Sequence, residues 1–177
     1  LLGGHRGANA LAARLAHALG AHAAVTTLSE VATGVSLDAP PAGWTLAAEA
    51  DVKSILARLR DGGRIRVDDT ACRAGWLDEL RHDTGPVDVA VSVRRTRTAP
   101  ATLIPRRLAL GVGCERGLPP EDLATLVGDT LAAFDLDPAA IGVVVSLDLK
   151  AGEPAVRALA DRLGVEARFF DAATLEA

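Results

Sequence analysis

The segment Leu108-Ala-Leu-Gly-Val-Gly-Cys-Glu-Arg-Gly-Leu-Pro-Pro120 carries the strongest indication of the fold of this chain. Its apolar start predicts a buried strand, its glycines predict a loop, and Pro120 suits the first turn of a helix. In parallel α/β sheets, ligands bind at the loops that follow the carboxyl ends of the strands. Glycines at 111, 113 and 117 would let the backbone approach a ligand closely. We therefore expect a ligand-binding loop at this position.

The same pattern continues to the end of the chain as strand, helix, strand, helix, strand. Residues 141–145 and 165–170 predict the second and third strands, and Asp171 is a candidate N-cap for a further helix. The first helix is predicted from an apolar stripe of Leu123, Leu126, Val127, Leu131 and Phe134. Right-handed crossovers make such strands parallel, so the loops at 113–119 and 146–153 should open on one edge of the sheet. The prediction is an α/β fold with a Rossmann-like βαβαβ region.

The part of the chain before residue 108 shows the same elements in a less regular order. Residues 1–37 suggest the end of an N-terminal α/β domain, with a glycine-rich loop, a helix that stops at Gly20 and a strand at 23–27. Residues 38–99 predict a smaller α/β middle region, with a helix over 52–59, strands at 64–67 and 87–93, and a short helix near Trp76. Residues 100–107 are predicted to be a linker, and 108–177 a C-terminal α/β domain.

Composition excludes several classes of protein. Hydrophobic residues make up 49% and charged residues 24%, the balance of a globular protein, and no apolar run reaches the ~18 residues that span a membrane. A net charge of -4 and 3% aromatic residues argue against nucleic-acid binding. The two cysteines have no metal-ligand spacing, so neither a disulfide framework nor a metal site is predicted, and a cytoplasmic location is expected. The chain begins at Leu1 and lacks Met, and the helix that Asp171 would cap is cut off at the other end, so we expect a fragment truncated at both ends.

Arginines gather around Pro100 and Pro105 in this otherwise acidic chain; they are Arg94, Arg95, Arg97, Arg106 and Arg107. A solvated connector is the interpretation that we favour for this segment, and a carboxylate-binding lip is the alternative.

Four motifs in order resemble the cobalt-precorrin-5A hydrolase (CbiG) family of anaerobic cobalamin biosynthesis. They are Gly3-Gly-His-Arg-Gly-Ala-Asn9 with Val25-Thr-Thr27, then Leu110-Gly-Val-Gly-Cys-Glu-Arg-Gly117, then Ser146-Leu-Asp-Leu-Lys150 with Glu153, and finally Phe169-Phe170. The resemblance covers nearly the whole chain, and its C-terminal part is similar to a stand-alone homologue of the aerobic pathway.

The resemblance implies a hydrolase that opens a δ-lactone on a cobalt-bearing contracted tetrapyrrole and releases a two-carbon fragment as acetaldehyde. It implies no cofactor, because the cobalt arrives with the corrinoid substrate, and it implies a fused or associated corrin methyltransferase as a possible partner. Lactone opening needs a base that activates water, a donor for the developing oxyanion, and groups that bind the substrate's carboxylates.

Four side chains are candidates for the chemical step. His5 lies in a glycine-rich turn before a helix, where it would act as a base or donor; the alternative is a histidine that only stabilises the loop. Asp148 and Lys150 are predicted to point the same way on an extended segment, and Glu153 begins the next helix. The alternative for these three is an ion pair with a helix cap. Lys150 is one of only two lysines, with Lys53, in a chain that otherwise uses arginine.

The remaining candidates would bind the substrate. They are Gly4, Asn9, Gly111, Gly113, Cys114, Arg116, Gly117 and Ser146. The glycines would present backbone N–H groups to a carboxylate or a lactone oxygen. Cys114 beside Arg116 also suggests a nucleophile, but no histidine follows at a partner spacing, and a small residue in a tight turn is the simpler interpretation.

Two other functions are weighed against the hydrolase. The glycine spacing at 111–117 departs from the dinucleotide-binding turn and lacks its acidic partner, so a nicotinamide-dependent oxidoreductase is disfavoured. A non-catalytic corrinoid carrier or scaffold protein of the same pathway is the stronger alternative, because the same fold could bind the macrocycle without transforming it.

Overall fold

The computed structural model describes residues 8–23, 37, 39–47 and 52–175. They form two compact units. The first contains the residues up to Val91 and Thr98–Leu103, and the second contains Ser92–Arg97 and the residues from Ile104 onward. The chain therefore passes between the units three times. The boundary expected after residue 37, between the N-terminal domain and the middle region, falls within the first unit.

The first unit is built on a four-stranded sheet with the order β1-β4-β3-β2. Its strands are β1 (Trp44–Leu46), β2 (Val67–Asp68), β3 (Val89–Val91) and β4 (Ala101–Pro105). The boundary between the units falls within β4, after Leu103. The helices among the described residues of this unit are α1 (Ala8–Leu19), α2 (Val52–Arg60) and a 3-10 helix at Gly75–Leu80. Strands β2, β3 and β4 are parallel. The three helices agree with the apolar spacing of the sequence, whereas β1 and β4 were not predicted.

The core of the first unit lies between the sheet and one face of α2. Ile55 and Leu59 from that face are buried with Leu77 of the 3-10 helix and Leu103 of β4. Since residues four apart lie on one face of a helix, the predicted stripe is the face that packs.

The predicted linker at 100–107 is wrong over most of its length, because Ala101–Pro105 is a strand of which every residue is buried. The flanking prolines and arginines obscured a short apolar run. Proline is tolerated at Pro105 because it stands at the end of the strand, where a missing N–H is least costly.

The second unit confirms the predicted parallel βαβαβ arrangement. Strands β5 (Leu108–Gly111), β6 (Ile141–Leu147) and β7 (Glu166–Phe170) form a three-stranded parallel sheet in that order. The crossover helices are α3 (Pro120–Ala133) and α4 (Pro154–Leu163), and a 3-10 helix at Pro138–Ala140 precedes β6. Helix α5 (Ala172–Leu175) begins after Asp171, whose Oδ1 accepts the Thr174 N–H at 2.7 Å, as an N-cap does.

The apolar stripe of α3 is narrower than the sequence suggested. Leu123, Val127 and Leu131 are buried, but Leu126 and Phe134 are 59% and 66% exposed. The core of this unit is completed by residues of β6 and α4, among them Val144 and Val156. No helix in the described ranges is long and apolar enough to cross a membrane.

Several predicted features lie outside the described residues. They are the Gly3–Gly7 loop, which includes Gly4 and His5, and the strand at 23–27 beyond Ala23. Asn9 belongs to α1 by its backbone, but its side chain is also outside the described part.

Candidate functional site

Two loops meet at the carboxyl edge of the second sheet. Residues 112–119, the glycine-rich loop, follow β5, and residues 148–153, the β6–α4 turn, follow β6. Ser146 Oγ donates a hydrogen bond to the Val112 carbonyl oxygen at 2.8 Å, and the Gly117 N–H donates to Glu153 Oε2 at 3.0 Å. The prediction that these loops share one edge is confirmed by these contacts and by the parallel pairing of β5 with β6.

The middle of the glycine-rich loop presents unused backbone donors. The N–H groups of residues 113–116 form no hydrogen bond with any described residue, while those of Val112 and Gly117 do. Gly117 has a φ of 75°, a left-handed conformation that glycine adopts at little cost. Gly111 and Gly113 are exposed, and a Cβ at Gly113 would meet nothing within 4 Å. Successive unpaired N–H groups in a loop can bind an anion such as a carboxylate.

The β6–α4 turn differs from its prediction. Residues Asp148–Lys150 form a single 3-10 turn, in which residues two apart lie on different faces, so Asp148 and Lys150 do not point the same way. Asp148 is exposed and its Oδ1 accepts the Leu149 N–H at 2.7 Å. The connection from β6 to α4 is short, and hydrogen bonds close it into a turn. Ala151 and Glu153 donate their N–H groups back to the carbonyl oxygens of residues 148 and 150.

The ion pair that was the alternative for Asp148 and Lys150 is not formed. Lys150 is half-buried as a residue, and its ammonium has no hydrogen bond or salt bridge with any residue in the described ranges. An unpaired ammonium at the edge where ligands bind is available to a ligand carboxylate or a developing oxyanion.

Glu153 occupies an unusual place for a carboxylate. It is 8% exposed and stands at the N-cap position of α4, yet its side chain accepts no N–H group of that helix. It reaches instead to Gly117 in the other loop. Arg116 Nε lies 4.0 Å from Glu153 Oε1, but the Arg116 side chain is 94% exposed, so this contact is weak. The prediction that Glu153 begins the helix is confirmed, and its carboxylate is hydrogen-bonded to the glycine-rich loop.

Cys114 packs against the apolar cluster of the second unit and is half-buried. Its thiol has no hydrogen-bonded partner in the described part of the chain. This environment favours the packing interpretation, because a nucleophilic cysteine needs a base or a charge that favours the thiolate.

The arginine cluster lies at the opposite edge of the sheet. The contacts are those of Arg94 Nη1 with the Phe134 carbonyl oxygen at 3.2 Å, Arg97 Nη2 with Asp137 Oδ2 at 2.5 Å, and Arg106 Nη1 with the Gly164 carbonyl oxygen at 3.0 Å. These acceptors precede β6 and β7, at the amino edge. Arg94, Arg97 and Arg106 therefore bind residues at helix ends, on the edge opposite to the two loops. The side chains of Arg95 and Arg107 are exposed and form no hydrogen bond or salt bridge with a described residue.

The sequence missed the two contacts that join the loops. Ser146 was selected as a substrate-binding residue and Glu153 as a catalytic one, and nothing in the spacing showed that both are buried against the glycine-rich loop. No group of three or more side chains suited to a metal ion occurs among the described residues.

Two family models match the sequence. The model described as cobalamin synthesis G C-terminus matches residues 108–177, which begin at β5 and include both loops of the site. The model described as cobalamin synthesis G N-terminal matches residues 1–30.

Three curated relatives align with the chain. A protein CobE of Sinorhizobium sp. is 47% identical over 70 residues, which are 40% of this chain and 46% of the relative. A cobalt-precorrin-5A hydrolase of Salmonella typhimurium is 32% identical, over 99% of this chain and 56% of the relative. A cobalt-precorrin-5A hydrolase of Priestia megaterium is 24% identical, over 96% of this chain and 52% of the relative. The chain thus spans about half the length of these relatives.

Proposed function

Because the chain belongs to the CbiG family of cobalamin biosynthesis, we propose that it acts as a cobalt-precorrin-5A hydrolase, opening the δ-lactone of a cobalt corrinoid with release of acetaldehyde. The observation that carries this proposal is the alignment of a relative of that name with 99% of the chain at 32% identity. The cobalt belongs to the substrate, so the protein needs no metal of its own. A corrin methyltransferase, fused or associated, and a cytoplasmic location are parts of the same proposal.

The geometry of the carboxyl edge supplies two of the groups that lactone opening needs. Unpaired N–H groups at residues 113–116 can hold a peripheral carboxylate of the corrinoid, together with the exposed Arg116 guanidinium. The unpaired Lys150 ammonium can stabilise the negative charge that develops on the carbonyl oxygen of the lactone when water adds to the carbonyl carbon.

Asp148 is the base that the described residues support best. Its Oδ1 is held by the Leu149 N–H, and Oδ2 accepts no hydrogen bond from a described residue. An exposed carboxylate on a fixed turn can take a proton from the attacking water. His5 and Asn9 keep their proposed roles as base or donor and as substrate-binding residue.

The test is acetaldehyde release from cobalt-precorrin-5A by the purified protein, followed by the oxidation of NADH in a coupled alcohol dehydrogenase assay. We expect Lys150→Ala to lower kcat/KM by about 10-fold to 100-fold, the equivalent of one charge-assisted hydrogen bond. Asp148→Asn should lower kcat by about 100-fold or more if it is the base. Folding should be unaffected, because both side chains lie on a surface turn.

Lys53→Ala is the matched control, since Lys53 is the other lysine and is exposed on α2. Turnover by Lys150→Ala equal to that of Lys53→Ala would contradict the role of Lys150.

A corrinoid carrier is the second candidate function. It is favoured by the 47% identity to CobE over 70 residues of the chain, because the name of that relative states no reaction. Tight binding of the corrinoid without acetaldehyde release would establish the carrier and reject the hydrolase.

A further inference from the structure

Two buried polar side chains of the second unit contact the same loop. Ser146 and Glu153 are 5% and 8% exposed, and they are the buried polar residues in the described part of this unit. Ser146 Oγ bonds to Val112 where the glycine-rich loop begins, and Glu153 Oε2 bonds to Gly117 where it turns. The four residues between these contacts are those whose N–H groups are unused.

The hydrogen bond between Glu153 and Gly117 is not explained by a gain in folding stability alone. Burial of a carboxylate is costly unless hydrogen bonds and opposite charge compensate it, and here one N–H group and one distant, exposed guanidinium do so. Serine or aspartate at this N-cap position would satisfy α4 directly. Glutamate instead has the length to cross to the neighbouring loop.

We propose that Glu153, with Ser146, is a positioning residue that holds the glycine-rich loop in the conformation whose N–H groups at 113–116 bind a carboxylate of the substrate, and that Glu153 is not the general base. This inference rests on the proposed function. It also accounts for a glycine at position 117, where the loop has a positive φ and the N–H donates to Glu153.

The substitutions Glu153→Gln and Glu153→Ala separate positioning from proton transfer. Glutamine keeps an oxygen that can accept the Gly117 N–H but cannot serve as a base. For a positioning residue we expect Glu153→Gln to keep kcat and KM within about threefold, while Glu153→Ala raises KM about tenfold with little change in kcat or its pH profile. Ser146→Ala should raise KM in the same direction.

A second measurement does not depend on activity. Amide hydrogen exchange of Gly117, followed by NMR in the whole chain, should accelerate about tenfold in Glu153→Ala and stay near wild type in Glu153→Gln. Glu166→Gln is the matched control, because it removes the same charge from an exposed carboxylate at the start of β7, where it pairs with Arg168. It should change neither exchange nor kinetics.

The outcomes are distinct. A fall in kcat of about 100-fold or more in Glu153→Gln would make Glu153 the base and overturn the inference. Unchanged Gly117 exchange in Glu153→Ala would overturn it on structural grounds. If the wild-type protein neither binds nor converts a cobalt corrinoid, the proposed function fails, and the part of the inference that names the substrate fails with it. The exchange data would still show whether Glu153 holds the loop.

Discussion

At the level of single residues, the carboxylate of Asp69 contacts three other residues of the first unit. Its Oδ2 accepts the Ala74 N–H at 2.8 Å and Arg81 Nη2 at 2.5 Å, and Arg73 Nη1 lies 3.5 Å away. The hydrogen bond from Arg81 is the main cause that lowers the pKa of Asp69 from 3.8 to about 2, against the opposing effect of burial. The ionised form is therefore the one that the folded state favours.

The stability of the protein should depend on Asp69 in a defined pH window. Because its folded pKa is depressed, its contribution of about 2 kcal/mol is present above pH 4 and is lost as the pH falls through about 2. We expect Asp69→Asn to lower the free energy of unfolding by about 2 kcal/mol at pH 7, and the difference from wild type to shrink between pH 4 and pH 2. Urea titrations across this range measure it.

Asp68→Asn is the control for that experiment. Asp68 is exposed and bonds only to the nearby Thr70 among the contacts described, so its loss should cost less than ~0.5 kcal/mol. A difference for Asp69→Asn that stays constant down to pH 2 would show that its ionisation is not the cause.

At the scale of elements, the central strand of the second sheet carries an irregularity. The register between β5 and β6 shifts after Leu108, which pairs with Ile141, while Ala109 pairs with Val143. Gly142 is the extra residue, and a Cβ on it would lie 3.0 Å from the Arg106 carbonyl oxygen. Glycine is needed here because the backbone that precedes β5 approaches the bulge closely.

Alanine substitutions at two glycines of this unit should have opposite effects. Gly142→Ala should lower the free energy of unfolding by about 1–3 kcal/mol, because the Arg106 backbone must move. Gly128→Ala, on the exposed face of α3 with nothing within 4 Å, should raise it by about 0.5–1 kcal/mol. Denaturation midpoints report both changes. Equal effects of the two substitutions would show that close approach to Arg106 does not explain Gly142.

At the scale of the whole molecule, the two units have separate sheets and separate buried clusters. Leu77 and Leu123, which are 0% and 1% exposed, are central to one cluster each. Truncation of either to alanine should cost about 2–5 kcal/mol. We expect the loss of protection from amide hydrogen exchange to be larger in the unit that carries the substitution.

Mass spectrometry of exchanged peptides can assign that loss to each unit. A uniform loss of protection over both units, for either variant, would mean that they unfold as one cooperative structure.

Local patterns in the sequence were enough to predict the parallel βαβαβ arrangement of the second unit and the edge where its loops open. Strong apolar periodicity, Pro120 and the glycines at 111–117 are local signals, and crossover handedness converts them into a topology. The sequence also indicated the family, because four motifs of that family occur in order along the chain. The short strand β4 was not predicted, since a five-residue apolar run between arginines and prolines shows little periodicity.

Which candidate side chains are unpaired and which are hydrogen-bonded depends on contacts between residues that are distant in the chain. Asp148 and Lys150 were expected to lie on one face, but the short connection into α4 turned that segment into a 3-10 helix. Glu153 was expected to act in the chemical step or to cap the next helix, but its carboxylate is buried and accepts the N–H of Gly117, a residue 36 positions away in the chain. Such contacts follow from how two loops pack at the edge of a sheet, and no local pattern of residues encodes that distance.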